Sequence, residues 1–140
     1  MEAGWYDPGF IVFALCVGYT LGVMLETPVL ALGLSACHSL KSRVQAGLLL
    51  TLCTYPFVIV VMPRLINPDL HKALYLAVTE TLVPIAECAV FWFVFHRKLM
   101  ANASTALKQS VIIRDFAVII AANLFSFGVG ELIAYWMGQA

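Results

Sequence analysis

Residues 73–95 read ALYLAVTETLVPIAECAVFWFVF. A spanning helix needs roughly 20 apolar residues, and this run is long enough and free of Lys and Arg. It nevertheless contains two acids, Glu80 and Glu87, with Pro84 between them. An acid at the centre of a bilayer costs about 2.5–3.5 kcal/mol on insertion scales. The stretch therefore reads as a membrane helix with one face turned away from lipid. Glu80 and Glu87 are seven residues apart, which places them on one helix face, two turns from each other.

Three further apolar blocks flank it, at about 10–34, 44–62 and 116–136. The whole chain has 140 residues, of which 62% are hydrophobic and only 11% charged, with a mean hydropathy of +0.93. A soluble domain carries about 25% charged residues, so this chain lacks the polar residues to coat itself in water. Disorder is excluded by the same composition. Eight Lys and Arg balance eight Asp and Glu, which leaves no basic face for nucleic acid. Four strands are too few to close a membrane barrel, and an open sheet edge in lipid would leave backbone groups unpaired. The expected fold is all-α: a four-transmembrane-helix up-down bundle, a polytopic integral membrane protein with residues 1–140 as a single membrane domain.

The joints are short, so sequential helices are expected to be antiparallel neighbours. Ser35 to Arg43 joins the first pair and Pro63 to Lys72 the second, with Asn67-Pro68-Asp69 as a turn signal. The third joint, His96 to Asp115, has a small, polar centre at Ala101–Lys108 that reads as a short interfacial helix. Lys41, Arg43, Arg97, Lys98, Lys108 and Arg114 fall in the first and third joints; Arg64 and Lys72 fall in the second. The positive-inside rule puts the first and third joints in the cytoplasm and both termini outside, in a bacterial-type inner (plasma) membrane. Trp5-Tyr6 and Tyr135-Trp136 then form an outer aromatic belt, with Trp92 part of the inner one. The start carries Glu2 and Asp7 and no basic residue, so no secretory leader is expected. Leu34-Ser35-Ala36-Cys37 resembles a lipobox, but the apolar run before it is too long and lacks a basic start; it reads as a helix end of small residues.

The residues foreign to lipid carry the functional reading. Glu26 lies in the first span, Glu80 and Glu87 in the third, Glu131 late in the fourth, and Asn123 and Ser126 also in the fourth. Counting at about 1.5 Å per residue puts Glu26 and Glu87 at one level, Glu80 slightly outward, and Tyr55 and Asn123 near the centre. Glu131 falls near the outer interface. Pro28, Pro56 and Pro84 interrupt three of the spans, and each frees the carbonyl four residues earlier; for Pro84 that is Glu80. Freed carbonyls beside carboxylates suit a hard cation, a proton or water. Glu26, Glu80 and Glu87 are thus the candidate cation- or proton-binding groups, supported by Tyr55 and Asn123. Glu26-Thr27-Pro28 also has a short likeness to Glu80-Thr81-Leu82-Val83-Pro84, one that needs an insertion and that chance suffices to explain.

Gly18 and Gly22 form a GxxxG pair, and Ala122, Ser126, Gly130 and Ala134 form a spaced row; such rows let helix backbones approach closely, within one chain or between chains. Cys16, Cys37, Cys53 and Cys88 show no CxxC spacing and read as free thiols. Cys37-His38 is an adjacent pair whose side chains diverge on a helix, a weak metal signal. His38, His71 and His96 fall at helix ends. No GxSxG, HExxH or phosphate-binding glycine loop occurs, so no enzyme activity is expected and no cofactor or metal is identified. Four spans with an acid in the first resemble the plan of small multidrug exporters. This chain is longer and has further acids in its third span, so no residue roles are carried across.

The expected function is binding or translocation of a cation or proton at an acidic midplane site, with the lipid bilayer and a second copy or another membrane protein as partners. The alternative is a non-catalytic subunit or assembly factor of a larger membrane complex, its acids paired with another chain. Mild-detergent purification separates the two: a homogeneous homo-oligomer against co-purifying partners. The charge asymmetry predicts that a topology reporter fused after Ala140 reads extracytoplasmic; a cytoplasmic reading with the protein intact would overturn the orientation.

Overall fold

A computed structural model describes residues 7–68, 71–97 and 105–139, and these are helical apart from short connections. Helix α1 spans Pro8–Gly33. Asp7 caps it by accepting a hydrogen bond from the Gly9 amide, and Pro8 occupies the first turn, where its missing amide hydrogen costs nothing. Helix α2 spans Leu40–Pro56, capped by the Ser39 hydroxyl on the Ser42 amide. That cap starts the helix four residues before the apolar block that marks it in the sequence. A π-helical turn, Phe57–Val61, follows directly on Pro56, whose missing amide hydrogen leaves the Leu52 carbonyl without its helical partner. The turn leads into α3, Met62–Leu65. The helix therefore runs past Pro63, where the sequence reading ends it; Pro63 follows the π-helical turn directly, and the Val58 carbonyl five residues before it takes the Tyr75 hydroxyl instead. Helix α4 spans Lys72–Phe91 and continues as a π-helical turn, Trp92–His96. Helix α5 spans Thr105–Gln139.

Four helical segments are long and apolar enough to cross a membrane: Pro8–Gly33, Leu40–Leu65, Lys72–Phe95 and Gln109–Gly138. The expected interfacial helix at 101–108 lies partly outside the described residues, and Thr105 onward is the start of α5. Trp5, Tyr6, Asp69 and Lys98 also lie outside them.

The helices form a ring. α1 packs on α2 and α5, and α4 packs on the same two; α1 and α4 face each other across the ring. Each helix turns inward a seam with helical spacing. In α1 it is Gly22, Glu26 and Leu30; in α4 it includes Tyr75, Thr79, Glu87 and Phe91. Such stripes are the buried faces of packed helices. Here the usual polarity is reversed. The outward faces carry Phe13, Met24, Leu32, Leu52, Ile85 and Phe93, all exposed, while Glu26, Thr51, Thr54, Glu87, Asp115 and Asn123 are buried.

The interior is divided along its length. Leu30, Leu34, Ala46, Leu50, Phe91 and Ile119 form an apolar cluster at the end nearest the α1–α2 connection. The acids sit beyond it. Gly18 and Gly22 of α1 both lie under α2: a Cβ on Gly18 would strike the Tyr55 ring, and one on Gly22 would come within 2.9 Å of Thr51 Cγ2. This half of the small-residue pattern serves packing within the chain. Gly47 of α2 is tighter, because a Cβ there would lie 2.9 Å from the Thr27 backbone Cα. Gly130 has open space around it.

A Gly47→Ala change is therefore expected to cost about 1–3 kcal/mol by overpacking, while Gly130→Ala is neutral or slightly stabilising through helix propensity. Thermal denaturation of the two variants in one detergent checks the difference. Equal Tm values would contradict the α1–α2 contact.

Candidate functional site

Glu26 and Glu87 are buried, with 7% and 1% of their surfaces exposed. Neither helix that carries them supplies their partners. Glu26, on α1, accepts the Thr51 hydroxyl of α2 at Oε2 (2.9 Å) and the Ser126 hydroxyl of α5 at Oε1 (2.7 Å). Glu87, on α4, accepts the Thr54 hydroxyl of α2 at Oε1 (2.9 Å) and the Asn123 amide of α5 at Oε2 (2.6 Å). All four carboxylate oxygens thus have a donor, which is what burial of such groups demands. The donors come as two i, i+3 pairs, Thr51 with Thr54 and Asn123 with Ser126, each pair sharing one face of its helix.

The pattern repeats on itself. Exchanging α1 with α4 and α2 with α5 maps Glu26 onto Glu87, Thr51 onto Asn123 and Ser126 onto Thr54. The four hydrogen bonds and the ring of helix contacts are carried into one another. The residue equivalent to Glu26 is therefore Glu87, and not Glu80 as the Glu-Thr likeness in the sequence suggests. Helical phase decides this, since it is Glu87 that faces the donor pairs.

Both acids border a cavity of about 260 Å³. Its wall includes Tyr55 and Gly18 on one side, Tyr75, Thr79 and Glu80 on another, and Gly130 and Glu131 further along. Glu80 is half-buried in this wall. Tyr75 is anchored by donating its hydroxyl to the Val58 carbonyl in the π-helical turn at 3.1 Å. Glu131 lies 3.5 Å from the Lys72 ammonium, in a pair that is largely exposed. Among the described residues, no Lys, Arg or His lines the cavity. The apolar cluster lies at the opposite end from Lys72 and Glu131.

The structure thus brings Glu26, Glu87 and Asn123 together and places Glu80 and Tyr55 in the same cavity wall. Ser126, read from the sequence as a packing residue with Ala122, is a ligand to Glu26, whereas Ala122 is buried in the apolar cluster. Ala134 is exposed. Of the three prolines, Pro28 and Pro84 sit inside continuous helices, and Pro56 immediately precedes the π-helical turn. Thr51 and Thr54 were not singled out from sequence; two threonines three apart in an apolar span, matched by Asn123 and Ser126, are the signal that finds them.

A second polar cluster closes the other end. The sequence reading treats Cys37 and His38 as diverging helix neighbours, and the structure corrects it. Residues 34–39 are not helical, and their side chains converge on Asp115 of α5. Asp115, fully buried, accepts the Ser35 amide at 2.7 Å, the Ser35 hydroxyl at 2.9 Å and His38 Nε2 at 3.0 Å. Arg43 reaches back to the His38 and Ala31 carbonyls, each at 3.0 Å, and Arg114 to the Gly33 carbonyl at 3.2 Å. The ligand atoms of Cys37, His38 and Asp115 lie within 4.8 Å of one another, close enough to hold a metal ion. Both Asp115 oxygens are already engaged, however, and the cluster is complete as a latch tying the α1–α2 connection to α5. No protein-family model, curated protein or solved structure matches this chain. Its function is read from these two sites alone.

Asp115→Ala leaves the Ser35 amide and the His38 ring without their acceptor, at a cost of about 1–3 kcal/mol for buried polar groups left unpaired. The variant should melt earlier and its exposed Cys37 should react faster with a maleimide. Unchanged Tm and labelling rate would show that the latch holds nothing.

Proposed function

We propose that this chain is an integral membrane protein, an up-down bundle of four spanning helices, that binds or translocates a cation or proton at Glu26 and Glu87. The observation that carries the reading is the cavity. Its wall holds four carboxylates, Glu26, Glu80, Glu87 and Glu131, and no basic side chain among the described residues. A low-dielectric cleft lined by one sign of charge concentrates counter-ions, and ionisable groups inside membrane helices cluster on ion pathways.

The alternating helix directions are supported by the order of contacts along α5. Asp115 meets the α1–α2 connection, Asn123 and Ser126 meet the mid-helix acids, and Glu131 meets Lys72 at the start of α4. The exposed apolar faces support insertion in lipid. With both termini extracytoplasmic, the Lys72–Glu131 end faces outward. The cavity then opens to the outside, while the apolar cluster and the Asp115 latch seal the cytoplasmic end. Glu80 stands between the mouth and the paired acids and draws cations inward, while Glu131 at the mouth is paired with Lys72. Tyr55 holds the α1–α2 contact at the cavity wall.

The oligomer reading rests on the far half of the small-residue row. Ala134 is exposed on α5 and lies outside the cavity wall, whereas the open space beside Gly130 belongs to the cavity. Close helix approach by a second copy or another membrane subunit would use such a surface.

The chain reconstituted in vesicles should pass protons or Na⁺ or K⁺ ions under an imposed gradient, read by an entrapped indicator dye. Glu87→Gln is expected to keep the helical content and the elution position of the parent and to lose ion flux. Equal flux in Glu87→Gln and parent would contradict the proposal. Co-purification of a stoichiometric membrane partner, with no flux from the isolated chain, would favour the subunit reading.

A further inference from the structure

The three hydroxyls that hold the acids each face two acceptors. Thr51 Oγ lies 2.9 Å from Glu26 Oε2 and 2.9 Å from the Gly47 carbonyl. Thr54 Oγ lies 2.9 Å from Glu87 Oε1 and 3.0 Å from the Leu50 carbonyl. Ser126 Oγ lies 2.7 Å from Glu26 Oε1 and 3.0 Å from the Asn123 carbonyl. A hydroxyl has one proton to donate and two lone pairs with which to accept. Each of these three groups is therefore one proton short of filling the contacts its oxygen already makes.

We propose that Glu26 and Glu87 are a pair of in-place proton sites, each accommodating or releasing a solvent proton as a neighbouring hydroxyl hydrogen rotates, with no movement of heavy atoms. The inference rests on the ion-binding reading above and names its ion as the proton. With the acid ionised, the hydroxyl hydrogen points at the carboxylate. With the acid protonated, its O–H donates to the hydroxyl oxygen, and the hydroxyl hydrogen swings to the backbone carbonyl, which has a second lone pair free. A hydronium ion of the solvent gives up one proton, breaking its own O–H bond and leaving water; one O–H bond forms on the carboxyl group, and the hydrogen bonds re-pair around it. Both states use the distances observed.

The geometry also assigns the proton's seat. Asn123 Nδ2 lies 2.6 Å from Glu87 Oε2 and 3.0 Å from the Ile119 carbonyl. The carbonyl can only accept, so it fixes the amide with its NH₂ toward both oxygens. Glu87 Oε2 thus always faces a donor, and the proton sits on Oε1, in the chain Glu87 Oε1–H to Thr54 Oγ–H to Leu50 carbonyl. Glu26 has a hydroxyl at each oxygen and takes the proton on either. The same amide disfavours a metal ion at Glu87. A hard cation gathers six to eight oxygen ligands, and this carboxylate has an N–H donor fixed against one oxygen. The titratable groups facing the pair are Tyr55 from α2, Tyr75 and Glu80 from α4 and Glu131 from α5, with Cys88 beside Glu87; α1 brings only Glu26 itself. None is a base that would hold both acids permanently ionised.

Infrared difference spectroscopy on the purified full chain in detergent, stepped in pH, reads the protonated carboxyl C=O stretch directly. Acidification should raise carboxyl bands of which Glu87→Gln removes one and Glu26→Gln another, while the amide I band stays unchanged. Thr54→Val removes the relay hydroxyl at nearly constant shape and should shift the Glu87 band to higher frequency; Thr54→Ser should not. This shift is read with both acids present, so it decides the matter even if a glutamine variant fails to fold. Adding NaCl, KCl or MgCl₂ at fixed pH should leave the bands in place. The proposal is overturned if neither acid contributes a band at any pH where the chain stays helical. It is also overturned if Thr54→Val leaves the Glu87 band unshifted, or if one of the salts erases the bands. Flux of Na⁺ or K⁺ that requires Glu87, with bands erased by that ion, would overturn the proton assignment and leave the ion-binding reading standing. Bands that behave as described in a chain without flux would do the reverse.

Discussion

A carboxylate shut away from water must be given partners, and in this chain two such carboxylates organise the interior. Glu26 and Glu87 sit on helices that face each other across the ring, and their donors sit on the two helices between. Each acid therefore ties α2 to α5, the pair that flanks it. The arrangement specifies helix rotation more sharply than apolar packing does. A Leu tolerates a shift against another Leu; an acid rotated out of reach of its hydroxyl is an unpaired group in low dielectric. The outward faces are mainly apolar, and their Thr20 and Thr81 hydroxyls bond within their own helices, so the polar layer sets the phase of all four helices.

Around that layer the two ends differ in kind. Toward the α1–α2 connection the interior closes with Leu30, Leu34, Leu50, Phe91 and Ile119, and Asp115 fastens the connection to α5. Toward Lys72 and Glu131 the helices leave the cavity and an exposed ion pair. The internal symmetry of the carboxylate bonds is thus set inside an asymmetric wall. Glu26 and Glu87 sit at the boundary between these zones, bordering the cavity on one side and the apolar cluster on the other.

How much of this is legible in the chain follows from the physics of each feature. The four helices are written in block length and composition, and the anomalous acids in the third span stand out because lipid makes them costly. That Glu26 and Glu87 share a level follows from counting rise along the helices. Their partners are harder to see. Thr51 and Thr54 are ordinary residues in a long apolar helix, and only their spacing, repeated by Asn123 and Ser126, gives them away. Ser126 and Ala122 look alike as small residues four apart, but they end in different layers, one at a carboxylate and one in the apolar cluster. The likeness of Glu26-Thr27-Pro28 to Glu80-Thr81 points to the wrong member of the α4 pair, because local similarity carries no information on which residue the helix turns inward. The Ser35, His38 and Asp115 latch is absent from any local pattern. It joins residues about 80 apart through a connection whose non-helical path no periodicity encodes.

The central claim is that the buried acids are held by donors from helices other than their own, and a double-mutant cycle on Glu87 and Asn123 tests it most directly. Glu87→Ala, Asn123→Ala and the double variant are compared with the parent by reversible unfolding in one detergent. Residues in direct hydrogen-bond contact couple by about 0.5–3 kcal/mol, while independent sites add to within about 0.3–0.5 kcal/mol. The account predicts a coupling in the first range. Additive effects of the two substitutions would mean that Asn123 does not hold Glu87, and the layer that sets the helix phases would lose its foundation.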